Sequence, residues 1–324
     1  MTILNVNQAI AEALAEEMER DADVVLLGEG VATKHGELVA AFGTQRVRNT
    51  PLAEAIIAGT AVGAAASGLR PVVDMLFAPF LTYAMDALVN SAGKLRYLSG
   101  GQFEFPLVAM ALTGAGWGVG GQHNHNLEAM FAHAPGLKVV MPSTAADFKG
   151  LLKAAIRDDN PVLFFVDLAL LESAGEVAPG DASLVPIGRA ARRRDGDDIT
   201  LVSYGKTVNS CLAAAETLAT HGASVEVIDL RSVKPWDRDA VLRSVRKTGR
   251  LVVVHEASGV CGMAAEIAAV VASEAFGSLK APVRRLTGPD APAPASFMLE
   301  QAGLPQPEAV VAQCLELLGD EVPA

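Results

Sequence analysis

Short, nearly unbroken apolar runs recur along the chain: Val24–Leu27, Pro71–Phe77, Phe105–Leu112, Leu137–Met141 and Pro161–Val166. A strand buried on both faces of a parallel sheet reads this way, whereas a half-exposed strand alternates. Between the runs lie stretches with helical spacing of apolar residues, Asn7–Arg20, Ala53–Ser67, Ala84–Tyr97, Asn126–His133 and Ala145–Arg157. Strand–helix alternation of this kind predicts a doubly wound α/β domain with right-handed crossovers over residues 1–175. The pattern then breaks into Gly, Pro, Ala and charge, and residues 176–198 read as a linker. It resumes with strands at Ile199–Ser203, Ser224–Asp229, Leu251–His255 and Val283–Leu286, and helices at Val208–His221, Arg238–Val245 and Met263–Ala275. The expected architecture is therefore two α/β domains, the second over residues 199–324.

Composition agrees with this and narrows the function. Of 324 residues, 51% are hydrophobic and 19% charged, ample for two cores and far from a disordered chain. The formal charge of −11 argues against nucleic acid as a partner, since that affinity rests on a basic face. Arg192, Arg193 and Arg194 are neighboured by Asp195, Asp197 and Asp198, which predicts a solvated linker face. The cysteines, Cys211, Cys261 and Cys314, are far apart and form no C-x-x-C pair, so neither a zinc site nor a disulfide framework is expected. The first residues lack the basic and apolar regions of a signal peptide, and no apolar stretch approaches the ~20 residues of a membrane span. A soluble, cytoplasmic protein is the expectation.

Three places carry candidate chemistry. The glycine cluster from Gly114 to Gly121 follows a strand and contains G-x-G-x-x-G from Gly116. A dinucleotide fingerprint would open a helix inside the motif and find an acid after the next strand; here the helix begins near Asn126 and that strand ends Met141-Pro142-Ser143. A flexible loop lining a pocket is the better reading. His123 and His125 follow the cluster; with only Glu128 at ligand spacing, a metal site is weakly supported. His123, at the mouth of the loop where strand ends meet, suits a proton shuttle. His133, on the next helix, suits a structural role. Glu54 heads a helix after Thr50-Pro51, open both to a capping-box variant and to a catalytic carboxylate.

Taken together, these segments resemble the beta subunit of thiamine-diphosphate-dependent 2-oxo acid dehydrogenases over almost the whole chain. The resemblance rests on an ordered set: Thr50-Pro51-x-x-Glu54, Gly68-Leu69-Arg70-Pro71-Val72-Val73, Ser99-Gly100-Gly101, Gly121-Gln122-His123 and Pro135-Gly136-Leu137-Lys138-Val139-Val140-x-Pro142-Ser143. Lys149-Gly150-Leu151-Leu152 and Ala155-Ile156-Arg157-Asp158 follow. In the second half come Val202-Ser203-Tyr204-Gly205, Ile228-Asp229-Leu230-Arg231-x-x-Lys234-Pro235 and Thr248-Gly249-Arg250-Leu251.

The resemblance implies a transketolase-like pyrimidine-binding domain followed by a transketolase C-terminal-type domain. It implies that thiamine diphosphate lies between subunits, with diphosphate and magnesium held by an alpha-type partner, usually in an α2β2 tetramer. This chain lacks the Gly-Asp-Gly string, followed by Asn, that the diphosphate half carries. By position Glu54 matches the glutamate that hydrogen-bonds the pyrimidine, Phe80 the residue packed on that ring, and Leu76 an apolar contact. Tyr83 falls where a polar residue often faces the cofactor, and His123 matches the histidine credited with proton and acyl transfer. Backbone carbonyls at Leu107, Ala155, Asp158 and Asn160 match a structural potassium site of some members. The implied reaction is oxidative decarboxylation of a 2-oxo acid with acyl transfer to a lipoyl carrier, a lipoyl acyltransferase being a further expected partner.

Some positions depart from the family pattern. Met110 stands for an Arg, Val166 and Asp167 for a Glu and then a polar or basic residue, Leu171 for a frequent Tyr, and Gly30 for an Asp. Asn124-His125-Asn126 replaces the common string after His123. Loss of a positive and a negative group together is consistent with deletion of one buried ion pair, which need not harm folding. Two alternatives stay open: a two-subunit transketolase-like or acyloin-forming carboligase, and a non-catalytic binding module on the same fold.

Overall fold

The structure is a computed structural model and describes residues 1–319. In chain order the first half forms β1 (Thr2–Asn5), α1 (Val6–Arg20), β2 (Val24–Gly28), α2 (Val31–Lys34), α3 (Gly36–Phe42), β3 (Val47–Asn49), α4 (Glu54–Ala66), β4 (Arg70–Phe77), α5 (Gly93–Leu98), β5 (Val108–Thr113), α6 (Glu128–His133), β6 (Lys138–Val140), α7 (Ala145–Arg157), β7 (Val162–Asp167) and β8 (Ala174–Val177). The second half forms β9 (Ala191–Arg194), β10 (Ile199–Ser203), α8 (Thr207–Thr220), β11 (Val225–Asp229), β12 (Ser232–Lys234), α9 (Arg238–Thr248), β13 (Leu251–Ser258), α10 (Met263–Glu274), β14 (Arg284–Gly288), α11 (Phe297–Ala302) and α12 (Pro307–Leu318). Several helix starts are written in the sequence. Asn5 and Gln8 close a reciprocal capping box on α1, Thr144 accepts from the Asp147 N–H at the head of α7, and Asp237 caps α9.

The apolar runs become the centres of two sheets. The first has seven strands in the order β12-β6-β7-β5-β4-β2-β3, parallel except for β12. The second has five in the order β14-β13-β10-β11-β9, parallel except for β9. Successive side chains of each strand serve opposite cores. Val24, Leu26, Val72 and Phe164 pack towards α1 and α7, while Val73, Ala109 and Phe165 pack towards α4 and α6. This second core runs on without a break into Val202, Val253 and the inner faces of α9 and α10. A third core lies between the other face of the second sheet and α8 and α12. The layers stack as helix, sheet, helix, sheet, helix, with the middle helical layer shared by both halves. Among the described residues no helix is long and apolar enough to cross a membrane.

Three expectations are corrected. The stretch expected as linker begins inside β8, which pairs with β1, and contains β9, which edges the second sheet. Arg193 consequently turns inward: its guanidinium bonds Asp229 at 2.8 Å and also Asp147, while only Arg192 pairs locally, with Asp195 at 2.8 Å. Buried carboxylates attract this side chain more strongly than the solvated acids beside it. The helix expected over Ala84–Tyr97 forms without a break from Met85 to Leu98, but it is π-helical over Asp86–Ala92 before α5, and a 3-10 turn over Ala78–Ala84 leads into it. Finally, β12 belongs to the first sheet although its residues lie in the second half, so the two units interlock.

Candidate active site

Glu54 is the first residue of α4, and Ala53 before it offers no side-chain cap. The capping-box alternative therefore does not form: the Thr50 hydroxyl is buried without a partner, and the half-buried Glu54 carboxylate makes no side-chain hydrogen bond among the described residues. A free carboxylate at a helix N-terminus is electrostatically favoured and available to a ligand donor. The inner face of α4 (Ile57, Ala58, Ala61) packs with Leu81 and Ala84 of the following 3-10 turn. That packing sets the helix of Glu54 beside the segment bearing Phe80 and Tyr83.

At the end of β4, Leu76 adopts a left-handed conformation, φ 56°, with its N–H donated to Asp74 Oδ1 at 3.0 Å. A branched side chain there costs on the order of 1 kcal/mol, a strain that concentrates at functional sites. The reversal sends the chain into the 3-10 turn and brings Phe77 and Phe80 edge-on to the His123 ring, at centroid distances of 4.9 and 5.2 Å. Tyr83 stacks loosely on Phe80 at 6.5 Å and is 69% exposed. Phe80, Tyr83 and His123 thus gather at the C-terminal ends of β4 and β5, with Leu76 in the strand end that leads to them, where open α/β sheets bind ligands. Among the described residues no group of three or more His, Cys, Asp or Glu gathers as a metal site.

The remaining predicted positions lie elsewhere. Leu107, Ala155, Asp158 and Asn160 sit at the start of β5 and the turn from α7 to β7. There the carbonyls of Leu107, Ala155 and Asp158 each accept a hydrogen bond, from Val162 N–H, Asp158 N–H and Arg70. The Asp158 carboxylate pairs with Lys138, which together with Asn160 holds it below the usual carboxylate range against the opposing effect of burial. His125 and His133 are both exposed, so His133 is not a satisfied core histidine. Met110 and Val166 are buried on one face of neighbouring strands and, with Leu171 and Leu112, wall a cavity of about 410 Å³ whose rim carries Lys34, His35, Glu37 and Asp74. The two positions where the family pattern has opposite charges are therefore spatial neighbours, as deletion of one pair requires.

The glycine cluster is a loop with no helix until α6, which rules out the dinucleotide geometry. Its glycines answer specific contacts: a Cβ on Gly114 would meet the Asp167 and Glu256 carboxylates at 3.2 and 3.3 Å, and one on Gly118 the Ala295 carbonyl at 2.9 Å. Three acids that sequence reasoning did not single out as functional surround this loop. Asp167, fully buried at the end of β7, accepts the Lys206 N–H at 3.0 Å. Glu256 on β13 accepts the Ala115 N–H and lies 2.8 Å from Lys206 Nζ. Burial and the neighbouring Asp167 charge push the Glu256 carboxyl up to about 7, against the pull of Lys206. Glu300 on α11 accepts from Gly116, Gly118 and Asn124. The signal in the sequence was faint: Glu256 interrupts an apolar strand, and Glu300 an apolar helix start.

Comparison with known proteins gives these positions a setting. Residues 3–172 match the model of the transketolase pyrimidine-binding domain, and residues 188–310 that of the transketolase C-terminal domain. The chain is 42% identical to the 2-oxoisovalerate dehydrogenase subunit beta of Bacillus subtilis, over 98% of this chain and 99% of that one. It is 40% identical to the acetoin:2,6-dichlorophenolindophenol oxidoreductase subunit beta of the same organism, over 98% of each. With the pyruvate dehydrogenase E1 component subunit beta of Rhizobium meliloti it shares 44%, over 96% of this chain and 69% of the relative. Among solved structures, a split-gene transketolase described as an inactive beta4 tetramer superposes with a TM-score of 0.81 at 26% identity, covering 96% of this chain and 97% of that one. With its two transketolase-type domains, the chain belongs to the beta-subunit family of the 2-oxo acid and acetoin dehydrogenases.

Proposed function

We propose that this chain is the beta half of a thiamine-diphosphate-dependent 2-oxo acid dehydrogenase, which decarboxylates its substrate and passes the acyl unit to a lipoyl carrier. The observation that carries the reading is the meeting of Phe80 and His123 at the strand ends, beside a helix headed by the uncapped Glu54.

The donor set fits the aminopyrimidine half of the cofactor. Glu54 would hold a proton at a ring nitrogen, Phe80 and Leu76 would pack on the ring, and Tyr83 would lie at its edge. When bound, thiamine diphosphate supplies the electron sink that decarboxylation needs. His123, held between two phenyl edges yet half-exposed, would move protons to and from the reacting substrate. Magnesium and the diphosphate fall to an alpha-type partner, with α2β2 as the expected assembly and a lipoyl acyltransferase as the acceptor's carrier. A structural potassium ion at Leu107, Ala155, Asp158 and Asn160 belongs to the same reading, held through the second lone pairs of carbonyls already in use.

Calorimetric titration of thiamine diphosphate with magnesium, into the chain alone and into the chain co-expressed with its alpha-type subunit, tests the shared site. Binding to the pair alone supports the proposal; tight binding to the lone chain refutes it. A product assay on the pair then separates acyl-lipoamide from a hydroxyketone. Glu54→Gln should leave assembly intact and reduce turnover at least 100-fold. His123→Ala should lower turnover more than cofactor affinity.

A further inference from the structure

The loop between β5 and α6 has no regular secondary structure from Gly114 to Asn126. Its own backbone supplies little order: the His123 N–H reaches the Gly120 carbonyl at 3.1 Å, and Gly114, Gly118 and Gly120 have left-handed φ of 81°, 63° and 79°. The second half of the chain supplies the rest. Glu300 Oε2 accepts the N–H groups of Gly116 at 3.0 Å and Gly118 at 3.2 Å, and its Oε1 accepts from Asn124 Nδ2. Glu256 Oε1 accepts the Ala115 N–H, and Lys206 Nζ bridges Glu256 Oε2 to the Ala115 carbonyl at 2.6 Å. Glu300 is 2% exposed, so water does not compete for these bonds. One carboxylate therefore grips the loop on both sides of His123, at Gly118 and at Asn124.

We propose that Glu300, assisted by Glu256, is a positioning residue: a buried carboxylate of the second domain that fixes the glycine loop and thereby sets where His123 stands. The inference rests on the reading of His123 as the proton-transfer residue. The geometry makes this more than fold maintenance. The middle of the loop rides on the surface, with Trp117 54% and Val119 36% exposed, and its buried Ala115 and Asn124 belong to none of the three cores, so releasing it frees His123 from Phe77 and Phe80 without opening a core. A shift of about 1 Å at a catalytic group can cost about 100-fold in rate.

The chemistry of the grip provides its own control. Asn124 is buried, and its Oδ1 has no partner among the described residues. In E300Q the remaining carbonyl oxygen can still accept from Gly116 and Gly118, while the new amide donates to Asn124 Oδ1 once that side chain turns over. N124D instead sets a carboxylate against Glu300, and adding E300Q restores a donor–acceptor pair.

The experiment uses the full chain for amide hydrogen exchange across residues 114–126 and the chain paired with its alpha-type subunit for kinetics. E300A and N124D should raise loop exchange at least tenfold and lower kcat about 100-fold, with substrate KM and cofactor affinity within about threefold. E300Q should retain most of the rate, and E300Q/N124D should recover at least tenfold over N124D. Unchanged loop exchange in E300A, or no recovery in the double variant, overturns the grip itself. Faster loop exchange with kcat and its pH profile intact, together with a silent H123A, sinks instead the role given to His123. Should E300A not fold, the N124D and E300Q/N124D pair still decides the matter.

Discussion

Adjacent residues on β13 show how burial sorts ionisable groups in opposite directions. Burial in an apolar layer, where neither ring nitrogen finds a well-formed partner, pushes His255 down to about 4. Burial beside Asp167 pushes Glu256 up to about 7. For His255 the unfolded chain binds more protons between about pH 6.5 and 4, so stability is lost as pH falls through that range. For Glu256 the folded chain binds more between about pH 4.5 and 7, so stability is lost as pH rises through it, and the full penalty stands above 7. Glu256→Gln removes the second effect and leaves the first. Relative to the parent chain it should gain on the order of 2 kcal/mol more at pH 8 than at pH 5, read from urea unfolding at the two pH values. An equal difference at both would mean that Glu256 is not the titrating group. Glu54 and His123 stood out beforehand as candidates because each sits in a local motif, Thr50-Pro51-x-x-Glu54 and Gly121-Gln122-His123, and Phe80 stood out only by its position in the resemblance. Glu256 and Glu300 did not, because their meaning arises only when β13 and α11 approach a loop far away in sequence.

Apart from the edge strand β14, the strands that were readable as elements are those whose residues face two cores, since few environments other than a doubly covered sheet favour an unbroken apolar run of that length. Those missed, β1, β3, β8, β9 and β12, are strands of three or four residues at a sheet edge or in the two-stranded pair, too short to carry an apolar run. The pairing of α1 with α7 is legible only in hindsight. Lys149, Lys153 and Arg157 recur every fourth residue on α7, and Glu12, Glu16 and Glu17 answer from α1. Lys149 and Lys153 are essentially buried, so each needs its carboxylates. Removing one member should therefore cost more than removing a matched pair. Lys153→Met should destabilise the chain by about 3 kcal/mol in urea unfolding, and adding Glu16→Gln should recover part of that loss. A double variant weaker than the sum of its singles would contradict this account.

At the scale of the whole molecule the two halves are joined by a polar seam above their shared core. Arg193 from β9 holds Asp229 and Asp147, Arg231 holds Asp147 at 3.0 Å, and Ser143 donates to Asp229. Asp229 is fully buried, and burial raises its pKa despite Arg193. Arg193→Met leaves that carboxylate without its cation. The melting temperature should fall by roughly 5 °C near neutral pH, equivalent to about 3 kcal/mol, and by less in mild acid where Asp229 takes up a proton. Calorimetry at pH 7.5 and 5.5 distinguishes this from a surface substitution, which would move neither.

The crossing strand β12 carries a consequence for inheritance. Ser232 and Lys234 lie beyond the boundary that composition suggests, yet they complete the sheet by pairing with β6. A fragment cut between residues 176 and 198 would leave β6 with a bare hydrogen-bonding edge, ready to recruit any extended chain, including another copy of itself. The halves are thus poor candidates for shuffling as independent modules: recombination that exchanged one without the other would have to preserve a three-residue strip of its neighbour.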